Sequence, residues 1–243
     1  MQVLALTRRF LALPAVERPY FLRRFVDLKL HKRSGFSQFG EDASVASFLR
    51  VVGRVCRNYI DIGANDPISQ SNTYLFYRDG GSGVLVEANP TIAQRIRRKR
   101  PRDTVVNLAV LPEGAGTLDL HVMDMDGLST VSSQWRETIA SHGMATAIKI
   151  VPVRTIGIND LLQEHLKSRT IDFASLDIEG LDFDVLSAWD FDRWRPYLFC
   201  AETAEARANG YTRDERIEVL MKDRGYRPLF NTFANTVFVD ERA

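Results

Sequence analysis

The sequence predicts an α/β fold: a mostly parallel sheet with helices on both faces. Three observations carry that prediction. Short runs of β-branched and aromatic residues alternate with helical periodicity along nearly the whole chain, as helices covering both faces of a parallel sheet require. The stretch Tyr59 to Thr73, YIDIGANDPISQSNT, reads as strand, tight turn and helix, because Tyr59 to Ile62 suits a strand and Gly63-Ala64-Asn65-Asp66-Pro67 cannot continue one. The 243 residues, 45% hydrophobic and 26% charged, hold enough apolar side chains for one substantial core.

The elements follow in order. Val45, Phe48, Leu49 and Val52 give an apolar stripe for a helix after Ser37-Gln38-Phe39-Gly40-Glu41-Asp42. Beyond the loop, Ser71 to Arg78 reads as a short helix, whose N-terminus would offer free N–H groups to an anionic ligand. Ser82 to Val86 is the second strand, closed by Glu87, and Asn89-Pro90 caps a helix that runs to Arg100. That helix carries Arg95, Arg97, Arg98, Lys99 and Arg100, which reads as a solvated face, with an anionic lipid or glycan as the alternative contact. Thr104 to Val110 reads as a third strand and its exit, and Gly116 to Met123 and Lys149 to Arg154 as strands around a polar insertion. A short helix over Asn159 to Leu166, a strand over Ile171 to Asp177, a helix over Leu181 to Trp189 and a strand over Tyr197 to Ala201 come next. Thr212 with Glu215 suggests a capping box, and Arg227 to Phe230 with Thr236 to Asp240 a terminal hairpin.

Composition excludes several partners and compartments. A net charge of +1 lacks the basic excess of a nucleic-acid binder. Cys56 and Cys200 show neither CxxC spacing nor clustered histidines, so no zinc site or disulfide framework is expected and a reducing cytoplasm fits. Thr7-Arg8-Arg9-Phe10-Leu11 resembles a twin-arginine signal, but Pro14, Glu17, Arg18 and Pro19 interrupt the apolar stretch that should follow. No segment approaches the ~18 apolar residues of a membrane span. Residues 1–36 are expected to form a basic helical extension ahead of a single domain over residues 37–243. The extension either packs on that domain or lies on an anionic bilayer.

Ligands of an open parallel sheet gather beyond the carboxyl ends of its strands, and Asp61, Glu87, Asp177 and Glu202 stand at such ends. Glu87 follows Gly63 at a distance that suits hydrogen bonds to both ribose hydroxyls, in NAD as in S-adenosylmethionine. The loop separates the two: Gly63, Asn65 and Ile68 stand where a dinucleotide motif needs glycines. An acid before the first glycine also opposes a pyrophosphate and favours a cationic sulfonium ligand.

With those residues in place, the chain resembles the FkbM-type S-adenosylmethionine-dependent methyltransferases. The resemblance runs from SQFGED through YIDIGANDP with SNT, VEANP, NLAV, the LST of Leu128 to Thr130 and IDFASLDIEGLDFDVL to CAET. It implies a Rossmann-like class I methyltransferase fold, a mostly parallel seven-stranded sheet with an antiparallel last strand. It implies S-adenosyl-L-methionine as cofactor and O-methylation of a sugar or natural-product hydroxyl. By resemblance, Asp61, Gly63 and Asn65 cradle the methionine part, Glu87 binds ribose, Asn107 to Ala109 neighbour adenine, and Gln38 and Glu41 cap the cofactor. The fucose of a rhizobial nodulation factor is a candidate acceptor, presented free or on a lipid.

A sugar hydroxyl needs a base, and Asp177 and Glu179 are the first candidates. A helix cap is the competing role for Asp177, and an arginine pair that for Glu179. Asp177, Asp182 and Glu202 have the oxygen ligands a divalent ion takes, but spacing fixes no geometry and no metal is assigned. His31, His121, His142 and His165 lack ligand spacing; His121 and His142 are outside candidates for the base. An NAD-dependent oxidoreductase and a silent cofactor-binding module remain as the alternative functions.

Overall fold

The structure is a computed structural model that describes residues 35–123, 129–132, 137, 147–166, 170–207 and 210–243. The chain divides into two units, Met1–Gly35 and Phe36–Ala243. The predicted basic extension lies outside the described residues. In the second unit the elements run α1 (Glu41–Val51), β1 (Asn58–Ile62), α2 (Tyr74–Arg78), β2 (Ser82–Val86), α3 (Pro90–Lys99), β3 (Thr104–Val106), β4 (Ala109–Leu111), β5 (Gly116–Met123) and β6 (Ala147–Gly157). They continue through α4 (Ile158–His165), β7 (Phe173–Leu176), α5 (Asp182–Ala188), β8 (Leu198–Glu202), β9 (Ala204–Arg207), β10 (Gly210–Arg213), α6 (Glu215–Asp223), β11 (Tyr226–Asn231) and β12 (Asn235–Asp240).

The main sheet has seven strands in the order β11-β12-β8-β7-β1-β2-β3. The pairs β8–β7, β7–β1, β1–β2 and β2–β3 are parallel, while β12 is antiparallel to both its neighbours. The Rossmann-like class I methyltransferase fold expected from the sequence, with its antiparallel last strand, is therefore present. The strand order reverses at β1, so β1 and β7 diverge to opposite sides and leave a crevice at their carboxyl ends. β1, β2 and β7 are buried at nearly every position, as central strands covered on both faces must be.

Successive side chains of a strand point to opposite faces. Ile60, Ile62, Ala174, Leu176 and Phe199 join the core layer that holds α4, α5 and α6. Tyr59, Leu85, Phe173 and Cys200 join the layer under α1 and α2. A second sheet, in the order β4-β6-β5, carries the insertion. Its Ala109, Leu120 and Val153 form a small core of their own, against which Ala88 and Val131 pack.

Four expectations are corrected. Thr104 to Val110 is not one strand with its exit: β3 extends the main sheet while β4 pairs with β6 in the second sheet. Asn107 stands at the break, where its Nδ2 donates to the carbonyls of Glu87 at 2.8 Å and Ala88 at 2.9 Å. The helix after the first loop begins only at Tyr74, not at Ser71, and has five residues. The loop satisfies its own amides, Asp66 Oδ1 accepting from Ile68 and Ser69 N–H groups at 2.9 and 2.8 Å. The N-cap of α6 is Asp214, which accepts from Arg216 N, whereas Thr212 lies in the unanticipated β9–β10 hairpin.

The fourth correction concerns Arg100, which is 1% exposed and not part of a solvated face. Its Nε donates to Asp103 Oδ2 at 2.7 Å, its Nη1 and Nη2 both reach Thr73 Oγ1 at 3.0 Å, and Nη2 reaches Tyr59 Oη at 3.1 Å. A helical stripe of charges cannot reveal this, because Arg100 sits at the C-cap, where the chain turns back under the sheet.

Candidate active site

The crevice is made by close approach of three strand ends. Gly63 and Ala64 donate their N–H groups to Val86 O at 3.0 and 3.1 Å, which ties the turn after β1 to the end of β2. Gly63 has φ +86°, and a Cβ there would stand 1.7 Å from the carbonyl oxygen of Asp177. Only glycine lets β1 and β7 end this close together.

Glu87, 8% exposed, closes the crevice on the β2 side. Its Oε1 accepts from Asn89 N at 2.7 Å and its Oε2 from Asn65 N at 2.9 Å. Burial raises its pKa against the lowering effect of these two amides. Each carboxylate oxygen keeps a second lone pair, so the group is aimed and still able to accept from a ligand. Asn65 itself holds a left-handed backbone at φ +47°, which its short polar side chain tolerates.

On the β7 side stands the turn Asp177-Ile178-Glu179-Gly180. Asp177 N donates to Ile62 O at 3.0 Å. Ile178 N and Gly180 N donate to the two oxygens of Asp182 at 3.1 and 3.3 Å. Glu179 is left-handed at φ +56° and Gly180 at φ +100°. Glu202 projects from the end of the adjacent β8, and one oxygen each of Asp177, Glu179 and Glu202 lies within 4.8 Å of the others. That is an oxygen set a hard divalent cation could use.

Burial, then the charge of Asp182, pushes the Asp177 carboxyl up to about 7. Burial pushes Asp182 up to about 6 and raises Glu202 further, with Asp177 and Glu179 adding to the latter. A hydrogen bond between the Glu202 and Asp177 carboxyls raises the former and lowers the latter.

Between these two sides lies a cavity of about 630 Å³, part of it open to solvent. Its lining combines apolar side chains, Ile92, Leu108, Val110, Leu120 and Val131 among them, with the polar groups of Asn65, Glu87, Asp177 and Glu179. Asn65 Oδ1 and Asp177 Oδ1 are buried and have no hydrogen-bond partner. A buried acceptor left unpaired is costly, so two in one cavity call for a ligand that carries donors. A cationic amino group, a diol and a flat apolar ring in one molecule would satisfy the crevice.

Residues 61–228 match the family described as the methyltransferase FkbM domain, a span of more than half the chain. The chain belongs to the FkbM methyltransferase family. Its cofactor is S-adenosyl-L-methionine, whose amino group, ribose and adenine are the three parts the crevice can hold.

No curated protein matches the chain. Among solved structures, the magnesium protoporphyrin IX methyltransferase of Synechocystis PCC 6803 with bound SAH is 9% identical, with a TM-score of 0.45 over 82% of this chain and 82% of that one. The amino pentose methyltransferase CalS10 of Micromonospora echinaspora, with bound SAM, is 9% identical, with a TM-score of 0.45 over 88% of this chain and 96% of that one. A TehB-like SAM-dependent methyltransferase of Corynebacterium glutamicum is 10% identical, with a TM-score of 0.41 over 94% of this chain and 100% of that one.

The FkbM chain brings seven of the residues singled out from the sequence to the cavity wall: Gly63, Asn65, Glu87, Leu108, Ala109, Asp177 and Glu179. The other four stand elsewhere. Asp61, 4% exposed, shares the face of β1 that Tyr59 occupies and accepts from Thr73 Oγ1 at 2.6 Å. Glu41 accepts from Thr232 Oγ1 at 2.8 Å, Asn235 Nδ2 at 2.9 Å and Phe39 N at 2.9 Å, which joins the start of α1 to the β11–β12 turn. Gln38 is exposed, and Asn107 is wired to the carbonyls of Glu87 and Ala88. His121 alternates with the cavity-lining Leu120 on β5 and so points to the other face; His142 lies outside the described residues.

Ile92, Leu120, Thr130 and Val131 are among the other lining residues and were given no site role from the sequence. For Leu120 and Val131 no local signal exists, since an apolar residue in an insertion reads as core until the second sheet is folded over the crevice. Thr130 belonged to a motif, LST, that the resemblance includes.

Proposed function

We propose that this chain is an S-adenosylmethionine-dependent O-methyltransferase that acts on a hydroxyl of a sugar residue in a glycan or glycolipid, in the cytoplasm. The observation that carries this reading is the meeting, in one cavity, of the aimed Glu87 carboxylate with Asp177 and Glu179, whose carboxyl oxygens lie within 4.8 Å of one of Glu202. The donor supplies an electrophilic methyl group on a sulfonium. Glu87 would accept from the ribose hydroxyls with its remaining lone pairs, and Asn65 Oδ1 would accept from the amino group. Ile92, Leu108 and Ala109 would enclose the adenine and exclude water from it.

Asp177 takes the proton of the acceptor hydroxyl. A carboxyl raised to about 7 is basic enough to do this and still ionised in a useful fraction at neutral pH. Glu179, on the same turn, is the second candidate for that proton. Alignment of hydroxyl and methyl in the cavity contributes most of the rate, since displacement at carbon depends on in-line approach. A sugar acceptor suits a wall of several carboxyl groups, which accept hydrogen bonds from neighbouring hydroxyls. Within that class the resemblance favours fucose of a lipochitooligosaccharide nodulation factor.

Ligand-dependent thermal shift tests the reading, because a cofactor that binds the native state raises the melting temperature. S-adenosylhomocysteine should stabilise the protein and NADH should not; the reverse result would return the chain to oxidoreductase chemistry. Methyl transfer from labelled donor to a panel of fucosylated oligosaccharides tests the acceptor, and transfer only to a nitrogen or carbon nucleophile would overturn O-methylation.

A further inference from the structure

The second sheet reaches the carboxyl-bearing turn through one hydroxyl. Thr130, 1% exposed, donates from Oγ1 to the carbonyl oxygen of Glu179 at 2.9 Å. The same Oγ1 accepts from Ser132 N at 2.9 Å. With a lone pair taken by that amide, the hydroxyl proton is directed to Glu179. The Thr130 backbone is itself fixed, its carbonyl accepting from His121 N at 2.9 Å and its N–H donating to His121 O at 3.2 Å. Thr130 is thus an arm of β5 whose donor is already aimed.

The group it holds needs holding. Glu179 is in a left-handed conformation that a side chain with a Cβ adopts at a cost, and such a conformation persists only where the surroundings over-determine it. Asp182 fixes the amides on either side of Glu179, at Ile178 and Gly180, from within the same segment. Thr130 fixes the carbonyl of Glu179 from a different sheet. Ser129, Thr130, Asp177, Ile178 and Glu179 all face one cavity, so a shift of the turn moves its carboxyl groups relative to the ligand.

We propose that Thr130 is a positioning residue: its hydroxyl locks the Asp177–Gly180 turn in the left-handed form that presents the turn to the cofactor cavity. The inserted sheet thereby sets the geometry of the site as well as covering it. This rests on the assignment of the cavity to S-adenosylmethionine.

The test compares Thr130→Val, which keeps shape and removes the hydroxyl, with Thr130→Ser, which keeps the hydroxyl. Calorimetric titration with S-adenosylhomocysteine should show about tenfold weaker binding for Thr130→Val, the scale of one lost hydrogen bond to a buried group. Thr130→Ser should stay within about twofold of the parent, as rescue of one hydrogen bond requires. A purely structural threonine would lower the melting temperature of Thr130→Val and leave the affinity of the folded protein unchanged, and that result overturns the proposal. Should Thr130→Val fail to melt cooperatively, Thr130→Cys, close to serine in size and a weak donor, replaces it, and equal affinities for the Cys and Ser variants overturn the proposal. Failure of the parent chain itself to bind S-adenosylhomocysteine would instead reject the cofactor assignment.

Discussion

Glu87 shows how one residue is both structural and available. Its carboxylate holds the amides of Asn65 and Asn89, which shapes the turn, and its remaining lone pairs face the cavity. Glu87→Ala should therefore weaken S-adenosylhomocysteine binding by about 1–3 kcal/mol, the cost of losing a charged hydrogen-bond partner. Unchanged affinity of the folded variant by calorimetry would remove Glu87 from the ribose. Asp177 gives a prediction in pH. Its folded pKa of about 7 lies above the usual carboxylate value, so the folded state binds the proton more tightly than the unfolded chain. Stability should be highest at low pH and fall as pH rises through that window, to its full loss above the folded pKa. Asp182 and Glu202 shift in the same direction and steepen the fall. The melting temperature should drop between about pH 5 and 8, and Asp177→Asn should flatten the slope. Methyl transfer should rise over the same range as Asp177 ionises, so a parent melting curve independent of pH, or activity that falls, would sink the assignment.

At the scale of elements, the crevice depends on two close contacts between strands and on the inserted sheet. Gly63→Ala places a Cβ against the Asp177 carbonyl in a backbone region that also strains a side chain. β1 and β7 must then separate, and the loss of stability should exceed about 2 kcal/mol in urea denaturation; a loss below half that would show that the turn relaxes without cost. The insertion, by contrast, should affect the acceptor as well as the cofactor geometry, and not the fold. Leu120, Thr130 and Val131 put the second sheet on the cavity wall, where surface loops and insertions usually carry recognition. Replacement of residues 128–135 should alter acceptor preference or raise the acceptor KM. A KM and preference both unchanged would confine the insertion to a cover.

For the whole molecule, the position of charge relative to the cavity matters more than its amount. Helix α3 begins at Pro90, with Ile92 of its first turn on the cavity wall, and as a crossover between parallel strands it runs antiparallel to them, so Arg97, Arg98 and Lys99 lie toward the opposite end of the sheet. Docking through that face would turn the cavity away from a bilayer. Any contact with an anionic surface is therefore assigned to residues 1–33, where each well-placed basic side chain contributes about 1 kcal/mol. The full chain should sediment with phosphatidylserine vesicles at low salt and be released as ionic strength rises. Deletion of residues 1–33 should abolish that binding, whereas Arg97→Ala with Arg98→Ala should not; retention of binding by the deletion would move the contact to the sheet domain. Among the described residues no helix is long and apolar enough to cross a membrane.

The sequence by itself determined the strand–helix alternation, the terminal hairpin and the two loops that make the crevice, while the seven-stranded count and the antiparallel last strand came from the family resemblance. The former are legible because period, turn chemistry and the residues closing each strand are local properties. Even Glu87 could be placed, since one βαβ step fixes its distance from Gly63. What needed the tertiary structure was the side to which each group is turned. Asp61 and Gly63 are two residues apart, yet Asp61 faces the buried layer of Thr73 and Arg100 while Gly63 meets β7. Arg100 follows a run of exposed cations and is buried. Thr130 joins the cavity wall because its backbone pairs with His121 of β5, which brings its hydroxyl to the carbonyl of the left-handed Glu179. Each of these outcomes is decided by contacts between segments far apart in the chain, and no local pattern encodes which of two faces such a segment will meet.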